Sequence, residues 1–212
     1  MQIRTDPLRP SGMCQLVDVL FVCGIYKSGT SLAVHLAEKC GYVNIAKATN
    51  PHERGFGITT NRYNTNECSL LRGINENLLP FVTDRPNIIA ALEKNNYQKP
   101  PTEKNLRMML DYLSYVPKPV VLKDIRFMYT LPVWIKACKM LGLTYRVVFT
   151  HRSKDSLIEA WEHAPFTRKI LCGSLLRDFQ SLLDLRIREC GRLSNVYSLD
   201  DLKLSHLQVD HK

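Results

Sequence analysis

The segment Gly24-Ile-Tyr-Lys-Ser-Gly-Thr-Ser31 is where residue types and spacing best suit chemistry. Backbone N–H groups of a glycine-bearing turn converge on one point, and a helix beginning there adds partial positive charge. Lys27 supplies a full charge, and Ser28, Thr30 and Ser31 supply hydroxyl donors around Gly29. Such a set makes an anion site for phosphate or sulfate. It differs from the ATP-binding pattern G-x-x-x-x-G-K-[ST]. Gly24 and Gly29 have that spacing, but Thr30 holds the lysine position and the lysine lies inside the loop, at 27. Arg152 follows an apolar run, and its planar fork suits phosphate oxygens taken in pairs. His52 and Glu53 lie in a long polar stretch, where either could take a proton from an incoming hydroxyl. Lys123 and Arg126 flank Asp124 just past another apolar run, placed either to face an anion or to pair with that carboxylate.

These residues need a frame. Val17–Cys23 is a nearly continuous apolar run with β-branched members, the pattern of a strand buried on both faces. After the loop, Leu32, Ala33, Leu36, Ala37 and Cys40 fall on one helical face, and Gly41 can end that helix. Tyr42–Ala46 predicts a short second strand, and 47–65, with Pro51, Gly55 and Gly57, a long loop. Asn66–Leu79 predicts a helix interrupted by Gly73, and Thr102 caps a helix carrying Leu106, Met109, Leu110 and Leu113. Pro119–Lys123 and Tyr145–Thr150 predict buried strands. Between them Pro132 near the start and Gly142 past the end bracket a helix. Ser153 caps the next helix, Ser174–Cys190 predicts a longer one, and Asn195–Leu199 a last strand. Strands alternating with helices predict an α/β fold, a mostly parallel central sheet flanked by helices, with ligands at the carboxyl ends of the strands. The reading is one domain over 1–212, with 1–15 a loosely ordered lead-in.

The chain has 212 residues, 45% hydrophobic and 23% charged, an ordinary globular balance with room for a sizeable core. Its net charge of +9 favours anionic ligands. The charges are spread rather than gathered in one tail, so a nucleic-acid partner is not expected. Seven cysteines, several inside apolar runs and none in a C-x-x-C pair, point to a reducing compartment and to no zinc site. No apolar run is long enough to span a bilayer and no signal region opens the chain, so a cytoplasmic location is expected.

The loop, with its [PKR]-[SG]-G-T-[ST] pattern after a buried strand, resembles the 5′-phosphosulfate loop of the sulfotransferase family. Val120–Trp161 resembles the downstream half of bacterial and carbohydrate-type sulfotransferases, which read K-D-P-R, then L-P-x-W in a helix, then a strand ending in arginine. Lys123-Asp124-Ile125-Arg126 has Ile125 in the proline position, and Asn195–Leu202 resembles the family's late strand and turn. The resemblance covers roughly 17–41 and 118–162. It implies a P-loop-like sulfotransferase fold that takes 3′-phosphoadenylyl sulfate (PAPS) as donor and leaves 3′,5′-ADP (PAP), without a metal. By the same resemblance Lys27, Ser28, Gly29, Thr30 and Ser31 hold the 5′-phosphosulfate and Arg152 grips the 3′-phosphate. Lys27 stabilises the leaving group, and His52 or Glu53 serves as base toward a small-molecule or glycan hydroxyl or amine. The sequence departs from the family where Ala160 stands at a serine position and Ile58 at the approximate place of an acid. Many relatives also continue into a basic segment beyond the counterpart of Leu202. Two other readings compete: a P-loop kinase or NTPase with Asp124 as metal ligand, and a degenerate sulfotransferase fold that binds nucleotide or a partner without turnover.

Overall fold

A computed structural model of the chain describes residues 16–24, 28–48, 68–78, 102–162, 183–198 and 200. Within them the fold is α/β: five parallel strands in the order β2-β3-β1-β4-β5, flanked by helices. β1 is Val19–Gly24, β2 Val43–Asn44, β3 Val120–Lys123, β4 Tyr145–His151 and β5 Ser194–Ser198. β1 sits at the centre, pairing with β3 on one side and β4 on the other. All six of its residues are buried, the result that its unbroken apolar sequence demands.

Strand alternation divides the core into two layers. Val19, Phe21 and Cys23 of β1, with Val120, Leu122, Val147 and Phe149, face one layer. There they meet α3 (Ser69–Leu78), α4 (Glu103–Tyr115), α5 (Phe127–Met140) and the helical residues 183–190. Leu20, Val22 and Val121 face the other, against Ala33, Val34, Leu36 and Ala37 of α1 (Thr30–Lys39). Phe127 meets Phe21 and Trp134 edge-to-face in the larger layer, with centroids 5.2 and 5.8 Å apart. α1 thus lies on one face, while the later crossovers lie on the opposite one, as right-handed connections to opposite edges require.

Local signals place several ends as expected. The Thr102 hydroxyl accepts from the Asn105 N–H at 3.2 Å, capping α4. The Ser153 hydroxyl accepts from the Ser156 N–H at 3.3 Å, capping α6 (Lys154–Glu162). Gly142 follows α5 with φ of 67°.

Three expectations need correction. The second strand is only two residues long, because Ile45–Ala48 turns into a short helix, α2. The Asn44 side chain starts that turn by accepting from the Ala46 N–H at 3.1 Å. Gly73 does not interrupt α3, which runs through it. Pro132 does not start α5, which begins at Phe127 and holds the proline in its interior. A proline cannot bond the carbonyl four residues back. That carbonyl, on Met128, instead accepts from the Arg186 Nε–H at 2.8 Å. The described part of the expected 174–190 helix is 183–190; most of the long 47–65 loop lies outside the described residues.

Candidate functional site

The carboxyl end of β1 is the topological switch of the sheet. The chain leaves β1 through α1 toward β2, at one edge, whereas from β3 it passes over β1 to β4 and on to β5, at the other. In open α/β sheets the ligand crevice lies where successive connections diverge, here above the ends of β1 and β4.

Gly24 ends β1 there, in register with Thr150 of β4. A Cβ on Gly24 would lie 2.3 Å from Thr150 Oγ1, 2.6 Å from Ser28 Oγ and 2.9 Å from the Thr150 carbonyl oxygen. Only glycine allows this approach. Ser28 and Thr150 are both fully buried, and their hydroxyl oxygens lie 2.8 Å apart in a hydrogen bond. The Thr150 hydroxyl also lies 3.4 Å from the Cys23 carbonyl, to which it can donate. The Ser28 side chain is therefore turned down onto the sheet, tying the end of the loop to β4.

Gly29 follows with φ of 99°, a left-handed conformation that suits glycine, and occupies the cap position of α1. It offers no side chain to the first turn; its carbonyl accepts from the Ala33 N–H at 3.0 Å. Thr30 is buried and Ser31 exposed at the helix start. The amino end of α1, with its partial positive charge, thus opens at the crevice. Arg152 stands one residue beyond the end of β4, half-buried, two residues from Thr150. The fold therefore brings Ser28, Gly29, Thr30, Ser31 and Arg152 to one edge of the sheet. Lys27, His52, Glu53 and Ile58 lie outside the described residues. Position 160 lies within α6. His35 is half-buried along α1.

The end of β3 adds a second charged group. Lys123, its last residue, is buried, and strand alternation puts it on the α1 side with Val121. Asp124, the next residue, is buried just before a turn at 125–126. Its carboxylate accepts from the Arg126 backbone N–H at 2.8 Å and from its guanidinium at 3.0 Å. Arg126 also donates to Glu76 of α3 at 2.9 Å, and Glu76 accepts from Arg72 at 2.7 Å. Arg72, Glu76, Arg126 and Asp124 form an alternating chain of charge that fastens α3 to the end of β3. The expectation that Arg126 either faces an anion or pairs with Asp124 meets the second outcome. Among the described residues no group of three His, Cys, Asp or Glu side chains could hold a metal ion.

Cys23, beside Gly24, turns its side chain to the other face of the sheet, into the larger core layer. Burial first, then the neighbouring Cys190 and Asp124, push its thiol well above its ordinary range. It is a neutral core residue there, with no thiolate to act as nucleophile. Thr150 and Glu76 are the two contributors that sequence reasoning misses. A hydroxyl inside an apolar strand, opposite the last glycine of the neighbouring strand, is the signal that could have singled out Thr150.

No family model matches the chain, and no curated protein or solved structure matches it significantly. Among the described residues no helix is long and apolar enough to cross a membrane.

Proposed function

We propose that this chain is a sulfotransferase that takes 3′-phosphoadenylyl sulfate as donor and passes its sulfuryl group to a hydroxyl or amine on a small molecule or glycan. The observation that carries the reading is the loop anchored through Ser28 onto Thr150, with the open end of α1 and Arg152 beside it at the switch crevice. Two anion-binding elements on neighbouring strands suit a ligand with two separate phosphate groups. The sequence pattern of the loop and of Val120–Trp161 makes that ligand a 3′-phosphoadenosine donor. In this reading the finer fold is that of the P-loop-like sulfotransferases.

The parts then have distinct tasks. Backbone N–H groups of residues 28–31 and the Thr30 and Ser31 hydroxyls hold the 5′-phosphosulfate. Arg152 takes the 3′-phosphate. The acceptor oxygen or nitrogen attacks sulfur in line, the bond from sulfur to the bridging oxygen breaks, and that oxygen keeps the electron pair as 3′,5′-ADP leaves. Lys27 stabilises the charge that grows on the bridging oxygen, and no metal enters the step. His52 or Glu53 removes the acceptor proton.

A kinase-type reading would use Asp124 to hold a magnesium ion, since it follows the strand next to β1. Arg126 at 3.0 Å and its backbone N–H already engage that carboxylate, and a guanidinium there opposes a second cation. The binding-only reading rests on Ala160 and on Ile58.

The test is single-turnover transfer of labelled sulfate to a broad acceptor panel. Wild type transfers, and Lys27→Ala stays folded yet loses about a hundredfold in rate. His52→Ala and Glu53→Ala, made in parallel, show which serves as base. A Lys27→Ala protein that transfers at the wild-type rate contradicts the loop chemistry. A wild type that binds 3′,5′-ADP but never transfers supports the binding-only reading.

A further inference from the structure

We infer that Thr150 is a positioning residue for the anion site: its hydroxyl holds Ser28, and with it residues 28–31 at the start of α1, against the carboxyl end of β4. The inference rests on the proposed nucleotide-binding role for its effect on ligands, but not for its effect on residues 28–31. Thr150 is fully buried in the penultimate position of β4. Around its hydroxyl stand the Ser28 hydroxyl at 2.8 Å and the Cys23 carbonyl at 3.4 Å. Gly24 leaves no room for a side chain between them.

A hydroxyl has one proton to give and two lone pairs to accept with. When Thr150 donates to the Cys23 carbonyl, Ser28 must donate to Thr150. When Thr150 turns its proton to Ser28, the Ser28 oxygen accepts it. The 3.4 Å contact is the weaker of the two, so the second arrangement costs little. Thr150 thus holds Ser28 in place and accommodates either direction of its proton. Valine would suit the β-branched, apolar pattern of Tyr145–His151, but a methyl could not stand 2.8 Å from the Ser28 hydroxyl, so the close contact itself calls for a hydroxyl here.

The experiment combines a double-mutant cycle with a readout that needs no ligand. Ser28→Ala, Thr150→Val, the double variant and Thr150→Ser are compared with wild type. Amide hydrogen exchange is followed at residues 28–32, and 3′,5′-ADP affinity is measured by calorimetry. Ser28→Ala removes the bond without adding bulk beside Gly24, so the cycle has one arm that does not overpack the site. The expected result is about three- to tenfold faster exchange at 28–32 in Ser28→Ala and Thr150→Val, the range for one lost buried hydrogen bond. No further increase is expected in the double variant, and Thr150→Ser should recover near-wild-type rates. Affinity for 3′,5′-ADP should follow the same order. Should Thr150→Val fail to fold, Ser28→Ala and Thr150→Ser alone decide between the outcomes. Unchanged exchange in Ser28→Ala, or independent additive effects in the double variant, overturns the inference. If wild type binds no 3′,5′-ADP, the nucleotide reading falls and the exchange rates still decide the role of Thr150.

Discussion

Arg186 answers the carbonyl that Pro132 leaves without a partner. Pro132 has no N–H to give to Met128, four residues back in α5, and the Arg186 Nε–H donates to that oxygen at 2.8 Å from a fully buried position. Glu189, one turn on, pairs with the same guanidinium at the surface. The proline kept inside a helix and the arginine kept inside the core are two halves of one arrangement.

Arg186→Met keeps the apolar stem but abandons the Met128 carbonyl, so it should cost about 2–4 kcal/mol, combining an unsatisfied buried oxygen with lost packing. Pro132→Ala restores an N–H for that oxygen. In a Pro132→Ala background the cost of Arg186→Met should therefore shrink by about 1 kcal/mol or more. Urea unfolding of the four proteins checks this, and strict additivity would show that the two residues act independently.

Two glycines should respond in opposite directions. Gly24→Ala forces a Cβ against the Thr150 backbone oxygen at 2.9 Å as well as two hydroxyls. It should destabilise by about 1–3 kcal/mol, as overpacking does, and weaken any ligand held by the loop. Gly73, inside α3, has nothing within 4 Å of the added carbon. Gly73→Ala should stabilise by about 0.5–1 kcal/mol through helix propensity. Thermal melts of the two variants separate these outcomes.

The same contrast shows what was legible beforehand. β1, β3, β4 and the caps at Thr102 and Ser153 rest on local signals: unbroken apolar runs and a hydroxyl at a helix start. The parallel sheet and its carboxyl-edge crevice follow from the alternation of those elements. What sequence could not supply depends on partners far along the chain. Pro132 looks like a helix start until Arg186, 58 residues from Met128, supplies the missing donor. Ser28 looks like one more anion donor until Thr150, 122 residues on, draws its hydroxyl down to the sheet. Arg126 looks free to meet an anion until Glu76, 50 residues earlier, joins Asp124 in holding it.

The cysteines predict an alkaline response. Cys23, Cys68, Cys138 and Cys190 are buried and Cys40 is exposed, so mapped alkylation of the native protein at neutral pH should modify Cys40 far ahead of those four. Burial pushes the Cys138 thiol up to about 12 and the Cys190 thiol up to about 11, from an ordinary 9.0. The unfolded chain loses these protons near pH 9 while the folded chain keeps them. Stability from this source is present below pH 9 and is lost as pH rises toward 11 and 12. Urea midpoints measured from pH 7 to 10.5 should fall more steeply for wild type than for Cys190→Ala. Parallel curves would contradict the assignment.

Arg152 should distinguish ligands by their 3′-phosphate. Arg152→Ala should cost about 1.5–3 kcal/mol in 3′,5′-ADP affinity, the range for charged hydrogen bonds, and little with 5′-AMP. Equal losses for both ligands would mean that Arg152 only adds to the general positive field of the +9 chain.

The proposed function requires that the crevice above β1 and β4 hold a 3′-phosphoadenosine nucleotide. A thermal-shift comparison of 3′,5′-ADP in the presence of EDTA, 5′-AMP, and ATP with magnesium tests it most directly. At a hundredfold excess over the dissociation constant the ligand adds about 2.7 kcal/mol. For a chain of this size that raises the melting temperature by roughly 5–10 °C. A sulfotransferase should show this rise with 3′,5′-ADP despite the chelator, a smaller one with 5′-AMP, and none that depends on magnesium. No rise with 3′,5′-ADP beside a clear, magnesium-dependent rise with ATP would contradict it.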